Sequence, residues 1–168
     1  MILIKNGNKM KKICLILVFL LVALSSVNGQ FFNKSDIEIY KDDVSQQARS
    51  LVKENLDLTA NQAEIFWPIY DEYRVKADSL LSKELLVLED YLMHYYDLSE
   101  KRATKLMKEA IYSKREKLNL QEKYISIMSK KLPVQIVGKF FQIDNRLNLM
   151  ISQQNSEKIP LVRDQDKK

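Results

Sequence analysis

The sequence of 168 residues is short of the residues that turn a chain. It holds three glycines and three prolines. Gly7 and Gly29 fall near the N-terminus, so Gly138 is the only glycine in the remaining 139 residues. Pro68, Pro133 and Pro160 are the only prolines. Gly and Pro are the main turn-makers. A chain this poor in them has few tight turns, which excludes sandwiches, barrels and βαβ folds and predicts an all-α protein of a few long helices. Cysteine and histidine are equally scarce, at one each. Nucleophilic triads and phosphate-cradling loops have almost no raw material here, and the expectation is that the chain is not an enzyme. His94 lacks the companions that a metal site of three or four ligands needs, so no metal or cofactor is expected.

The first 29 residues read as a leader. Lys5, Lys9, Lys11 and Lys12 form a positive stretch without acids, and Ile13 to Leu24 is an unbroken apolar run. Small and polar residues follow from Ser25 to Gly29. This is the layout of a secretory signal peptide, with cleavage before Gln30. The run is short for a membrane span, which needs roughly 18 apolar residues. Only an uncleaved leader would tie the protein to a membrane. Met10, just before Lys11 and Lys12, is an alternative start. Cys14 would leave with the leader, so the mature chain would carry no thiol. The charge of +5 is also mostly a leader effect, because without its four lysines the count is 23 basic to 22 acidic residues. Nucleic-acid binding loses its compositional support.

Beyond the leader, residues 30–42 show no helical period and are expected to be a flexible lead-in. A helical domain is expected over 43–154 and a polar tail over 155–168. Val44, Ala48, Leu51, Val52 and Asn55 share the inner face of a first helix running from Asp43 to Leu56. Leu58, Thr59 and Gln62 then mark the start of a second helix. The Thr59 hydroxyl and the Gln62 side chain can each serve the other's backbone N–H, which is a capping box. That helix runs to about Tyr96. Phe66, Ile69, Tyr73, Ala77, Leu80, Val87 and Tyr91 form one stripe, and Leu81, Leu85, Leu88, Leu92 and Tyr95 form another beside it. The apolar arc is wider than one partner helix would cover. Pro68 removes an N–H inside this helix and crowds the Glu64 carbonyl, so a bend is predicted there.

Ser99 caps a third helix from Glu100 to about Lys131, with Ala103, Met107, Ala110, Leu118, Ile125 and Met128 facing inward. Pro133 suits the start of a fourth, running to about Gln154 through Val137, Phe140, Phe141, Leu147, Met150 and Ile151. A second helix of this length spans about 54 Å. A compact globule of the mature size is roughly 35–40 Å across. The expected architecture is therefore an elongated, curved layer built on a long helical hairpin. Part of its apolar surface would be covered by a second copy or left open for a ligand.

Charge is spread unevenly. Residues 101–131 hold ten basic and three acidic side chains, whereas residues 71–97 hold seven acidic and three basic. Lys101, Lys105, Lys108 and Arg115 line one face of the third helix, with Tyr112 in the same stripe. These five are the candidate client-binding surface, attracting acidic, partly unfolded proteins at long range. The plainer alternative is a solvated face paired with the acidic helix or with another subunit.

The stretch Leu58 to Tyr73 (LTANQAEIFWPIYDEY) resembles the Spy/CpxP-like family through its LTxxQ motif, here Leu58, Thr59 and Gln62. The FWPIY that follows, with FFQIDNRLN (140–148) and IPLV (159–162), is similar to one branch of it, sometimes labelled sensors of extracytoplasmic-function sigma factors. The resemblance implies an exported, all-helical periplasmic protein that forms an antiparallel dimer shaped like a shallow cradle. It implies an ATP-independent chaperone that binds unfolded clients on the concave face, or alternatively an envelope-stress sensor with one signalling partner. The sequence departs from the family where a second LTxxQ is common: Leu98 and Ser99 keep the cap, but Arg102 replaces the glutamine.

Overall fold

Four helices account for nearly all of the 130 residues, 34–163, that the computed structural model describes. The proposed leader, residues 30–33 of the lead-in and residues 164–168 of the tail lie outside that range. Helix α1 is Lys34–Asn55, α2 is Ala60–Met93, α3 is Glu100–Ser129 and α4 is Val134–Lys158. No strand occurs among the described residues, and none of these helices is long and apolar enough to cross a membrane. The fold is all-α, as the scarcity of turn residues requires.

The helix starts follow from capping chemistry. Thr59 accepts from the Gln62 backbone N–H at 3.4 Å, and Gln62 Oε1 accepts from the Thr59 N–H at 3.0 Å. Ser99 accepts from the Arg102 N–H at 3.3 Å. Pro133 occupies the cap position of α4 itself, just before the first helical residue. Pro68 lies inside α2, which continues through it to Met93.

Two boundaries differ from expectation. Helix α1 opens at Lys34, so residues 34–42 are helical and not a loose lead-in. Ile37 is the reason: it is buried one turn and more before Val44, and with Ala48 it continues the inner face of α1 into the core. Helix α4 runs to Lys158, four residues into the expected tail.

Helices α1 and α3 run opposite to α2 and α4. Each helix packs on two neighbours along its backbone: α1 on α2 and α4, and α3 on α2 and α4. Two apolar clusters fill the interior. The larger joins Val52 and Leu56, Phe66, Tyr70 and Tyr73, Tyr124 and Met128, and Val137, Phe140 and Ile143. All four helices contribute, and most of the aromatic rings meet edge to face, with Phe66 and Phe140 5.3 Å apart and Tyr73 and Tyr124 5.3 Å apart, while Phe66 and Tyr70 stack at 5.8 Å. Such pairs add about 0.5–1.5 kcal/mol beyond the area they bury. The smaller cluster joins Ile37, Val44 and Ala48 with Leu81, Leu85, Leu147 and Ile151. It draws on α1, α2 and α4 and on no residue of α3.

Buried polar groups lie among these apolar side chains. The Asp144 carboxylate accepts from the Tyr73 hydroxyl at 2.7 Å, from Gln121 at 3.0 Å and from Asn148 at 3.0 Å, which ties α2, α3 and α4 together. The buried Arg74 guanidinium pairs with Asp78 at 2.6 Å, one turn along α2. A buried charge is tolerated only when paired and hydrogen-bonded in this way.

Candidate functional site

The partition of the core decides which surface α3 leaves open. Its C-terminal half inserts Tyr124 and Met128 into the four-helix cluster. Its N-terminal half buries only Leu106 and Ser113, with Leu98 just before the helix. Residues 106, 113 and 120 are seven apart and so lie along one side of the helix. That side faces α2, and Lys117 meets Glu84 there at 4.0 Å. A helix held along one side leaves the other free.

The inward face therefore differs from the one expected. Met128 is buried and Ala103 is half-buried, but Met107, Ala110, Leu118 and Ile125 point outward. Met107 is 61 % exposed, Ile111 60 % and Leu118 66 %. At about 100° per residue, Met107, Ile111, Leu118 and Ile125 fall within about 40° of one another around α3. They form an apolar stripe that the exposed Lys114 interrupts between Ile111 and Leu118. Ser113 explains the misreading, because a polar residue holds the centre of the buried side while more apolar ones line the outer side. Ile111, four residues after Met107, was not singled out, although its spacing places it on the same face.

The five candidate residues occupy the flank of this stripe. Lys101, Lys105, Lys108, Tyr112 and Arg115 are all exposed. Lys105 joins the acidic end of α2, at 4.0 Å from Asp90, and also meets Glu109 at 3.6 Å. Among the described residues no ion pair engages Lys101, Lys108 or Arg115. A shallow depression lined by Glu100, Lys101, Thr104, Lys105, Lys108 and Glu109 runs along this flank. One face of α3 thus presents a band of cations, with the Tyr112 ring among them, beside a band of aliphatic side chains. The arrangement offers long-range attraction and short-range apolar contact.

Arg102 is the residue by which the sequence departs from a second LTxxQ, and it has a different partner. Its guanidinium donates to Asp90 at 2.5 Å and lies 2.8 Å from His94 Nδ1. It ties the start of α3 to the end of α2 instead of completing a cap. His94 belongs to this network, 3.1 Å from the Asp90 carboxylate. Among the described residues no three acidic, His or Cys side chains are grouped to hold a metal ion.

At the C-terminal end of α2, Tyr91 in its last turn and Tyr95 just beyond the helix hold the segment after α4. The Tyr91 hydroxyl donates to the Pro160 carbonyl at 2.7 Å, and the Tyr95 hydroxyl donates to the Leu161 carbonyl at 3.1 Å. These tyrosines share the second helix's apolar stripes, but a main-chain target leaves no trace in side-chain patterning.

Set against known protein families, curated proteins and solved structures, the chain matches none of them.

Proposed function

We propose that this protein is an exported, ATP-independent chaperone of the periplasm that holds unfolded or stress-exposed proteins on the outer face of α3. The observation that carries the reading is the stripe of Met107, Ile111, Leu118 and Ile125, open to solvent beside Lys101, Lys105, Lys108 and Arg115. Large apolar side chains gathered on one exposed helix face, among and beside cations, mark an interaction site.

Each part has a physical task. The cations concentrate acidic segments near the surface over roughly one Debye length, about 8 Å at physiological salt. The aliphatic stripe then excludes water from an apolar segment, contributing on the order of 1–2 kcal/mol for each side chain covered. Met107 adapts to segments of different shape because its side chain is unbranched and polarisable. Contacts of this kind are weak singly and select no particular sequence, which suits reversible holding. The resemblance of the Leu58–Tyr73 stretch to the Spy/CpxP-like family supports the same reading, and adds the expectation of a homodimer.

The test is light scattering from a chemically denatured client diluted into buffer with the mature protein. Suppression of aggregation near equimolar ratio, weakening steeply between low and high salt, is the expected result. Undiminished aggregation at several-fold molar excess would contradict it.

A further inference from the structure

The segment that follows α4 leaves the helix in an extended conformation, and its hydrogen bonds to α2 and the turn after it are made by its main chain. Ile159 leaves the helix at φ −87° and ψ 115°. The next two carbonyls, of Pro160 and Leu161, accept from the Tyr91 and Tyr95 hydroxyls. The Arg163 guanidinium lies 5.2 Å from the centre of the Tyr96 ring. Ile159 and Pro160 are half-buried, whereas Leu161 is 90 % exposed and Val162 65 % exposed. The Leu161 side chain is thus held in water while its carbonyl is bound. Among the described residues every buried core residue lies between Ile37 and Ile151, so none of the core found there comes from this segment.

The tyrosines are built to read a backbone. Tyr91 in the last turn of α2 and Tyr95 in the turn that follows it have their rings edge to face at 5.9 Å, and so present two hydroxyl donors side by side. A carbonyl is common to every residue type, so this contact is indifferent to side chains.

From this we infer that Tyr91, Tyr95 and Tyr96 form a docking site for an extended peptide segment of a client protein, and that residues 159–163 are a displaceable plug that occupies it. This rests on the client-binding reading of α3 given above. Tethered within a few residues of the α4 end, the plug acts at high effective concentration. It competes with a client segment of the same chemistry, and by returning it promotes release. An incoming extended segment replaces two neutral hydrogen bonds with two of the same kind, so exchange needs no large energy.

The probe is a fluorescently labelled, capped peptide of residues 157–163, followed by anisotropy. It is titrated into the full mature chain and into a chain ending at Lys158, which retains the whole core and should keep its helical circular dichroism. The peptide is expected to bind the shortened chain about tenfold or more tightly than the full chain. A shuffled peptide that keeps Ile159, Pro160 and Arg163 in place and permutes the other residues should bind within about threefold of it, because Leu161 and Val162 face solvent and the bonded groups are main-chain carbonyls. Tyr91→Phe with Tyr95→Phe in the shortened chain should weaken binding by about tenfold or more. Equal binding to the two chains, loss of helix on shortening, or failure of the shuffled peptide would each overturn the inference. A peptide that docks on a protein unable to suppress aggregation would keep the plug and remove the chaperone reading. Suppression of aggregation without peptide docking would do the reverse.

Discussion

Arg102 and Asp90 face each other across the α2–α3 turn, 2.5 Å apart, with His94 beside them. This contact sits where a second capping glutamine would be, and it exchanges a local cap for a bridge between two helices. Arg102→Ala should lower the free energy of unfolding by about 1 kcal/mol, since both groups are partly exposed and solvent screens them. The loss should shrink as salt rises. Arg102→Gln should behave like the alanine variant in low salt if the bridge matters more than the cap. Urea titrations of the three proteins at low and high salt would measure this.

The first capping box is complete, with Thr59 and Gln62 each serving the other's N–H. Thr59→Ala should cost about 1 kcal/mol, and Thr59→Ser much less. Thermal unfolding followed by circular dichroism is sufficient to read it.

These caps show what was legible in the sequence. Thr59 and Ser99 gave the starts of α2 and α3 because capping is local chemistry, needing only a hydroxyl and the next turn. The four-helix count followed from the scarcity of Gly and Pro for a similar reason. Tertiary choices were harder to read. Ile37 extended α1 because its partners in the smaller cluster, Leu81, Leu85, Leu147 and Ile151, come from two distant helices. On α3, the period was clear but its phase was not. Two faces could have been buried, and the side carrying Leu106, Ser113 and Tyr124 packs on the bundle, leaving Met107 and Leu118 outside. On α2, Tyr70 is buried with Phe66 and Tyr73, while Ile69, to which the pattern pointed, packs half-buried against the same core. The basic flank was legible because lysines rarely go inside.

Tyr70 and Tyr73 are both buried, yet their hydroxyls differ. Tyr73 donates to Asp144, whereas the Tyr70 hydroxyl has no hydrogen-bond partner among the described residues. Tyr73→Phe should cost about 1–3 kcal/mol, because it strips a donor from a buried carboxylate. Tyr70→Phe should be neutral or slightly stabilising. Burial pushes the Tyr70 phenol up to about 12, against an ordinary value of 10.0, with Arg74 and Arg49 opposing the rise. Burial first, and then Asp144, moves Tyr73 in the same direction. The folded state therefore holds these protons more tightly than the unfolded chain does. The stability this confers is complete below pH 10 and is lost as pH climbs toward 12 and beyond. Absorbance of phenolate in a pH titration should show a late, cooperative step coinciding with loss of helix, smaller in Tyr70→Phe.

Gly138 lies exposed inside α4, and a Cβ built on it meets nothing within 4 Å. Gly138→Ala should raise stability by about 0.5–1 kcal/mol through helix propensity alone. A higher midpoint in urea with unchanged slope would show it.

The most direct test of the account replaces Met107, Ile111 and Leu118 together by serine. All three are solvent-exposed, so helix content and thermal midpoint should hardly change. The account predicts that this variant, folded as the wild type, loses most of its ability to keep a denatured client from aggregating. A folded variant that protects the client as well as the wild type would contradict it.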